Sequence, residues 1–126
     1  MEKIIHQKKI VALVIKTISD GSIPLTDPQE PLQLVTLKHR QGKYLKAHLH
    51  KPKRRQTDKL QECLIVRKGK IAVDLYSENK LFFKRKILNT GDVLIMMNGG
   101  YGIKILSDSE LIEVKNGPFV EDKELI

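Results

Sequence analysis

The sequence predicts an all-β domain, and three observations support this prediction. Apolar and polar residues alternate with a period of two in several short runs, most clearly in Lys70–Tyr76, where Ile71, Val73 and Leu75 share one face. Clusters of Gly, Asn, Asp and Ser separate these runs at close spacing. Few windows of the chain carry the period of an amphipathic helix. Short strands at this density are typical of a β-sandwich or a β-barrel.

Several segments are candidate strands, each bounded by turn residues or by a polar loop. In chain order they are Lys9–Ile18, Leu32–Arg40, Tyr44–His50, Glu62–Arg67, Lys70–Tyr76, Leu81–Leu88, Asp92–Met97, Gly102–Leu106 and Glu110–Lys115. Lys68-Gly69 predicts a β-hairpin, Ser107-Asp108-Ser109 predicts a turn within a last strand pair, and residues 51–61 predict a polar loop. A closed barrel of about eight strands would have no exposed edge and would have room for one small ligand.

The length and the cysteine content limit the class of protein. A chain of 126 residues predicts one domain, residues 1–126. No run of about 18 apolar residues occurs, so we expect no membrane-spanning helix. A single cysteine cannot form an intrachain disulfide, which favours a reducing, cytoplasmic environment. We interpret Cys63 as a small core residue, since no feature of the sequence indicates a reactive thiolate.

The chain is basic, with 23 Lys and Arg against 15 Asp and Glu and a formal net charge of +8. Such an excess favours anionic partners. The basic residues are spread along the chain, apart from the run Lys51–Arg55. Six aromatic residues and no Trp provide few stacking platforms for bases. The composition therefore does not favour a nucleic-acid-binding protein.

One group of residues predicts a metal site. His48 and His50 are two apart in a strand-like run, so their side chains are expected on one face, and Glu62 begins the next β-rich run. Two imidazoles and one carboxylate are a ligand set for divalent iron, manganese, nickel or zinc. The alternative is a polar cavity in which both histidines are hydrogen-bonded and no metal is bound.

The spacing around these residues resembles the first sequence motif of the cupins, a family of small jelly-roll β-barrels. That motif is a glycine, five residues, His-x-His, a short spacer, a glutamate, six residues and a glycine. Gly42, His48, His50, Glu62 and Gly69 follow it. The spacer of eleven residues between His50 and Glu62 departs from it, because cupins usually have three or four there.

The second cupin motif is degenerate in this chain. Gly91, Met97 and Gly99 follow its frame, with Met97 in the place of a proline, and the motif's histidine is replaced by Tyr101 or Gly102. The run Val114–Phe119 is also similar to small bacterial cupins found with polysaccharide or lipopolysaccharide biosynthesis proteins. The resemblance extends over residues 34–119 and implies a single-domain, all-β cupin of the jelly-roll barrel type.

The resemblance also implies roles for individual residues. His48, His50 and Glu62 would be metal ligands. Tyr101 would be a further ligand, a proton donor in catalysis, a contact to a ligand, or a packing residue. Four side chains are further candidates for ligand binding, because they share the parity of the histidines or lie in the basic loop: Tyr44, Lys46, Arg54 and Arg55.

Three functional interpretations follow, and they leave open whether the protein is an enzyme. In the first, a metal-containing cupin binds a small polar ligand such as a sugar or sugar nucleotide. In the second, a metal-free binding or regulatory cupin holds an anionic or carbohydrate ligand in the same pocket. The resemblance further implies a homodimer, because cupins commonly pair through their sheets. A basic nucleic-acid-binding protein is the third and least favoured interpretation.

Overall fold

The computed structural model describes residues 1–126 and contains ten β-strands and no helix, so the prediction of an all-β protein is confirmed. No helix is available that is long and apolar enough to cross a membrane. The strands are β1 (Glu2–His6), β2 (Lys9–Ile15), β3 (Gly21–Pro24), β4 (Val35–Lys38), β5 (Glu62–Lys68), β6 (Lys70–Tyr76), β7 (Phe82–Asn89), β8 (Val93–Met96), β9 (Gly100–Ile105) and β10 (Glu110–Lys115).

The strands form three antiparallel sheets. A five-stranded sheet has the order β1-β2-β8-β5-β10, a three-stranded sheet has the order β7-β6-β9, and β3 pairs with β4. One core cluster of twelve buried residues draws on both larger sheets; it includes Leu64 and Leu94 from the first sheet and Ile71, Val73 and Leu75 from the second. The period of two seen in β6 therefore places its apolar face between the sheets.

A second, smaller core lies on the outer face of the five-stranded sheet. Leu13, Ile15, Cys63, Ile95 and Met97 form it. Side chains from residues 25–34, which connect β3 to β4, pack against this face. Strand β2 is consequently buried on both faces, which is why its sequence is almost continuously apolar. The interpretation of Cys63 as a core residue is confirmed, since Cys63 is buried in this cluster.

The structure differs from the predicted barrel at one segment. Residues 44–50, expected to be a strand, have no regular secondary structure and lie within the connection between β4 and β5 (residues 39–61). No strand pairs with the free sides of β9 and β10, so both are sheet edges. None of the three sheets closes into a barrel, because each keeps two edge strands: β1 and β10, β7 and β9, and β3 and β4.

Two predicted strand pairs are also wrong. Strands β5 and β6 are separated by Gly69 alone, but β5 pairs with β8 and β10, whereas β6 pairs with β7 and β9. Likewise β9 and β10, around Ser107–Ser109, lie in different sheets. Gly69 has a φ of 105° and its N–H donates a hydrogen bond of 2.9 Å to Thr90 Oγ1. The chain thus crosses from one sheet to the other at Gly69.

We expect Gly69→Ala to lower the free energy of unfolding by about 2 kcal/mol or more. The positive φ is unfavourable for alanine, and a Cβ at this position would collide with Ser109 Oγ and the Asp108 carbonyl oxygen. Urea unfolding measures the loss. Gly91→Ala is the matched control, because Gly91 has a φ of 89° and an alanine Cβ there would have no atom within 4 Å. A smaller loss, about 1 kcal/mol, is expected there. Equal losses would contradict the role of the collision.

Candidate functional site

A cavity with a volume of about 770 Å³ lies at one end of the space between the two larger sheets. Its walls come from β5, β9 and β10 and from the turn between β8 and β9. Glu62, Met96, Tyr101, Glu113 and Lys115 are among the side chains that line it. The volume is within the range of small-molecule sites, roughly 300–1,000 Å³.

Tyr101 connects the two sheets across this cavity. It lies in β9 of the three-stranded sheet, whereas Glu62 and Glu113 lie in β5 and β10 of the five-stranded sheet. The Tyr101 hydroxyl is hydrogen-bonded to Glu62 Oε2 and lies 2.8 Å from Glu113 Oε1. A phenol has one proton to donate, so it can donate to only one of these carboxyl groups. The other carboxyl group must be protonated to donate a hydrogen bond in return.

The surroundings of the two carboxyl groups indicate which of them takes up that proton more readily. Burial raises the pKa of Glu62, and the neighbouring Glu113 carboxyl group acts in the same direction. The neighbouring Glu62 carboxyl group and the hydrogen bond with Tyr101 lower the pKa of Glu113. Lys115 Nζ, 3.6 Å from Glu113 Oε2, further favours the ionised form of Glu113. Of the two carboxyl groups, Glu62 is therefore the one whose protonated form is favoured, and Glu113 is the one whose ionised form is favoured.

The same environment makes Tyr101 a weak acid. Burial, followed by the hydrogen bonds to Glu62 and Glu113, raises the pKa of Tyr101 well above its ordinary value. A phenolate at this position would lie beside a carboxylate in a poorly solvated site. Tyr101 is therefore suited to hydrogen-bond a ligand and is poorly suited to donate a proton in catalysis or to bind a metal as phenolate.

At the rim of the cavity, the backbone of the β8–β9 turn lies close to the backbone of β6. A Cβ at Gly99 would collide with the carbonyl oxygen of Tyr76, so only glycine allows the β8–β9 turn to approach β6 this closely. Residues 123–126 also line the cavity, and Ile126 Cδ1 lies 2.7 Å from the position that a Cβ at Gly100 would take. Glu124 Oε1 also forms an ion pair with Lys80 Nζ in the turn between β6 and β7, at 2.6 Å.

The structure does not bring the three predicted metal ligands together. His48 and His50 are exposed in the β4–β5 connection, with ring centroids 5.2 Å apart in an edge-to-face arrangement. His48 Nδ1 lies 3.0 Å from the carbonyl oxygen of Lys46. Glu62 instead lies in the cavity with Tyr101. No group of three or more His, Cys, Asp or Glu side chains is arranged to hold a metal ion, so the residues as placed do not fit one.

The other predicted ligand-binding residues also lie away from the cavity, apart from Tyr101. Tyr44 and Lys46 are exposed in the β4–β5 connection, where the side chain of Tyr44 is 74% exposed. Arg54 and Arg55 line a separate polar depression together with residues 56–58, 117 and 118.

Burial raises the pKa of Cys63 to about 11, which keeps its thiol protonated at neutral pH and agrees with a structural role.

Glu113 is the functional candidate that the sequence analysis missed. Strand β10 pairs with β5 so that Glu113 is opposite Leu64 and Lys115 is opposite Glu62. Directly paired residues project from the same face of a sheet, so both charged residues of β10 share the face of Glu62. A carboxylate at an inward position of an alternating strand is the signal that could have identified it, once the pairing of β10 with β5 was known.

Comparisons with known proteins do not identify the chain. No protein-family model matches it, and neither a curated protein nor a solved structure does so. The similarity to cupins therefore rests on the residue spacings alone.

We expect Glu62→Gln to stabilise the protein at neutral pH by about 1 kcal/mol. A glutamine keeps the donated hydrogen bond and has no proton to lose. In the wild type, the pKa of Glu62 is higher in the folded state than in the unfolded state, so folding takes up a proton above pH 4.5. The stabilisation that Glu62 contributes is therefore lost as the pH rises through its folded-state pKa. Thermal unfolding between pH 5 and pH 8 should therefore show a smaller loss of stability in Glu62→Gln.

Glu113→Gln is the matched control, since it makes the same chemical substitution in the same cavity. In the wild type, the pKa of Glu113 is lowered by folding, so the stabilisation by Glu113 is present above pH 4.5 and is lost as the pH falls through the folded-state pKa. This variant should be destabilised at neutral pH. Stabilisation by both substitutions would show that the proton is not held preferentially by Glu62.

Proposed function

We propose that the protein is a binding module for a small polyhydroxylated molecule, such as a sugar, in the cavity beside Tyr101. The observation that carries this proposal is the Tyr101 hydroxyl, which lies between the carboxyl groups of Glu62 and Glu113 in a single cavity. Such a group offers donors and acceptors close together, as the hydroxyl groups of a carbohydrate require.

The chemistry of the cavity favours hydroxyl groups over anions at the point nearest Tyr101. Two carboxyl groups accept hydrogen bonds from hydroxyls readily, whereas a phosphate or carboxylate there would face the charge of Glu113. Lys59, Lys115 and Lys123 also line the cavity. An anionic substituent on the ligand, such as the phosphate of a sugar phosphate, would be directed toward these lysines.

A cupin of the jelly-roll type is the proposed finer description of the fold. Two facing antiparallel sheets around one core agree with it. Gly69 and Gly91, which the resemblance places at motif positions, both have a positive φ. A cytoplasmic location and a homodimer belong to the same proposal. The single buried Cys63 supports the first of these, and the resemblance alone supports the second.

Divalent metal binding is a second candidate function, favoured by one specific observation. The free side of β9 offers unpaired backbone groups beside Tyr101, and residues 44–50 alternate between polar and apolar side chains as a strand does. Pairing of residues 44–50 with β9 would bring His48 and His50 toward Glu62. The metal would be iron, manganese, nickel or zinc.

Metal content decides between the two candidates. The measurement is elemental mass spectrometry on protein purified without chelator, for the wild type and for His48→Ala/His50→Ala, with His6→Ala/His39→Ala as the matched control. Near one metal per chain, lost only in the first variant, would establish the metal site. A wild type that stays empty when offered each of the four metals would leave the Tyr101 cavity as the metal-free site.

We expect Tyr101→Phe to weaken sugar binding about fivefold, because one hydrogen bond to the ligand is lost. Ligand-observed NMR with neutral monosaccharides and sugar phosphates identifies a binder, and a titration then gives its Kd. Tyr44→Phe is the matched control: it removes the same hydroxyl from an exposed tyrosine outside the cavity and should leave the Kd unchanged. An equal effect of both substitutions, or no binder among these sugars, would contradict the proposal.

A further inference from the structure

Nearly all of the net positive charge lies in one exposed part of the chain. The β4–β5 connection, residues 39–61, contains eight Lys or Arg residues and one Asp, a net charge of +7. The remaining residues contain 15 Lys or Arg and 14 Asp or Glu, a net charge of +1. Basic residues occur throughout the chain, but their excess over acidic residues is concentrated in one connection attached to a nearly neutral body.

The connection is built as an extended, open surface. Every residue from 39 to 60 is exposed, and none has regular secondary structure. Its one backbone hydrogen bond joins Lys43 N–H to the Arg40 carbonyl oxygen at 3.2 Å. At its far end, Asn116 Nδ2 donates to Thr57 Oγ1 and to the Lys59 carbonyl oxygen, at 3.3 and 3.2 Å. At its near end, His39 Nε2 lies 3.0 Å from Ser22 Oγ of β3. Between these two ends, residues 40–56 make no hydrogen bond to the body.

Most of these charges are free of acidic partners. Lys59 is paired with Glu30 at 3.6 Å, and no other basic side chain of the connection makes an ion pair. These unpaired cations are spread over a segment of 23 residues, which spans up to about 75 Å when extended. Such a row of cations complements a linear array of anions better than it complements a single small anion.

We propose that the β4–β5 connection binds the phosphate backbone of nucleic acid without sequence preference. Arg54 and Arg55 can each hold a phosphate through two N–H groups, and Lys51 and Lys53 add point charges beside them. Tyr44, 74% exposed, offers one ring on which a base can stack. A basic segment without regular structure can order along the strand as it binds.

The distribution of apolar residues favours nucleic acid over an anionic membrane. The large apolar side chains before the basic run are confined to Tyr44, Leu45 and Leu49, whereas Lys51–Arg55, the densest stretch of charge, contains none. A segment that lies in a membrane interface needs apolar anchors along its length beside the basic residues. Lys51–Arg55 therefore carries the highest charge density of the connection but has no large apolar group to insert into lipid.

The test measures binding of the full chain to a fluorescently labelled 20-nucleotide single strand and a 20-base-pair duplex by anisotropy, over a range of KCl concentrations. The first variant is Lys51→Gln/Lys53→Gln/Arg54→Gln/Arg55→Gln. The matched control, Lys3→Gln/Lys68→Gln/Lys84→Gln/Lys104→Gln, removes the same charge from exposed lysines that make no ion pair on the body. Thermal unfolding establishes that both variants are folded.

The wild type should bind in the micromolar range at low salt, with affinity that falls steeply as salt rises. The first variant should bind at least tenfold more weakly, and the slope of log K against log salt should fall by about 3, since four phosphate contacts are lost. The control should stay within about threefold of the wild type, with an unchanged slope. Equal losses of affinity in both variants would overturn the proposal. So would a wild type that binds neither nucleic acid, including one that binds phosphatidylserine vesicles instead.

Discussion

The packing of the five-stranded sheet against the three-stranded sheet is the constraint that positions every other part of the molecule. Leu64 and Leu94 on one side meet Ile71, Val73 and Leu75 on the other, all fully or almost fully buried. This apolar contact fixes the distance and the angle between the sheets. Because of it, Tyr101, near the start of β9, meets the carboxyl groups of β5 and β10.

Where the apolar core ends, polar groups begin and the balance of forces changes. Burying a carboxylate is costly, and burial accordingly raises the pKa of Glu62, whereas the pKa of the neighbouring Glu113 is lowered. The Tyr101 hydroxyl lies between them because it can donate to one group and accept from the other. The cavity therefore holds a polar network that is tied to the position of both sheets.

The cavity and the basic connection are separate parts of the molecule with different chemistry. The first is a half-buried group of carboxyl and hydroxyl groups, and the second is an exposed chain with a net charge of +7. They meet near Leu60 and Lys59, which belong to the connection and also line the cavity. A polyanion bound along the connection would therefore lie close to the rim of the cavity.

Local patterns in the sequence were enough to predict the strand-forming nature of the chain and most strand positions. Lys70–Tyr76 and Glu110–Lys115 were predicted with the observed bounds, because alternation with a period of two is a local property. Strands β1 and β3 were missed, since β1 is short and mostly exposed, and β3 contains both a glycine and a proline. Of the predicted site residues, Glu62 and Tyr101 do lie together in the cavity.

The choice of neighbouring strands, by contrast, depends on the three-dimensional fold. Residues 44–50 have the alternating pattern of a strand but do not form one, because no other segment pairs with their backbone groups. Glu113 reaches Tyr101 because β10 pairs with β5 and because the two sheets face each other, and neither contact is local in sequence. Alternation specifies which residues share a face, whereas partner choice depends on distant segments and on the core that they bury together.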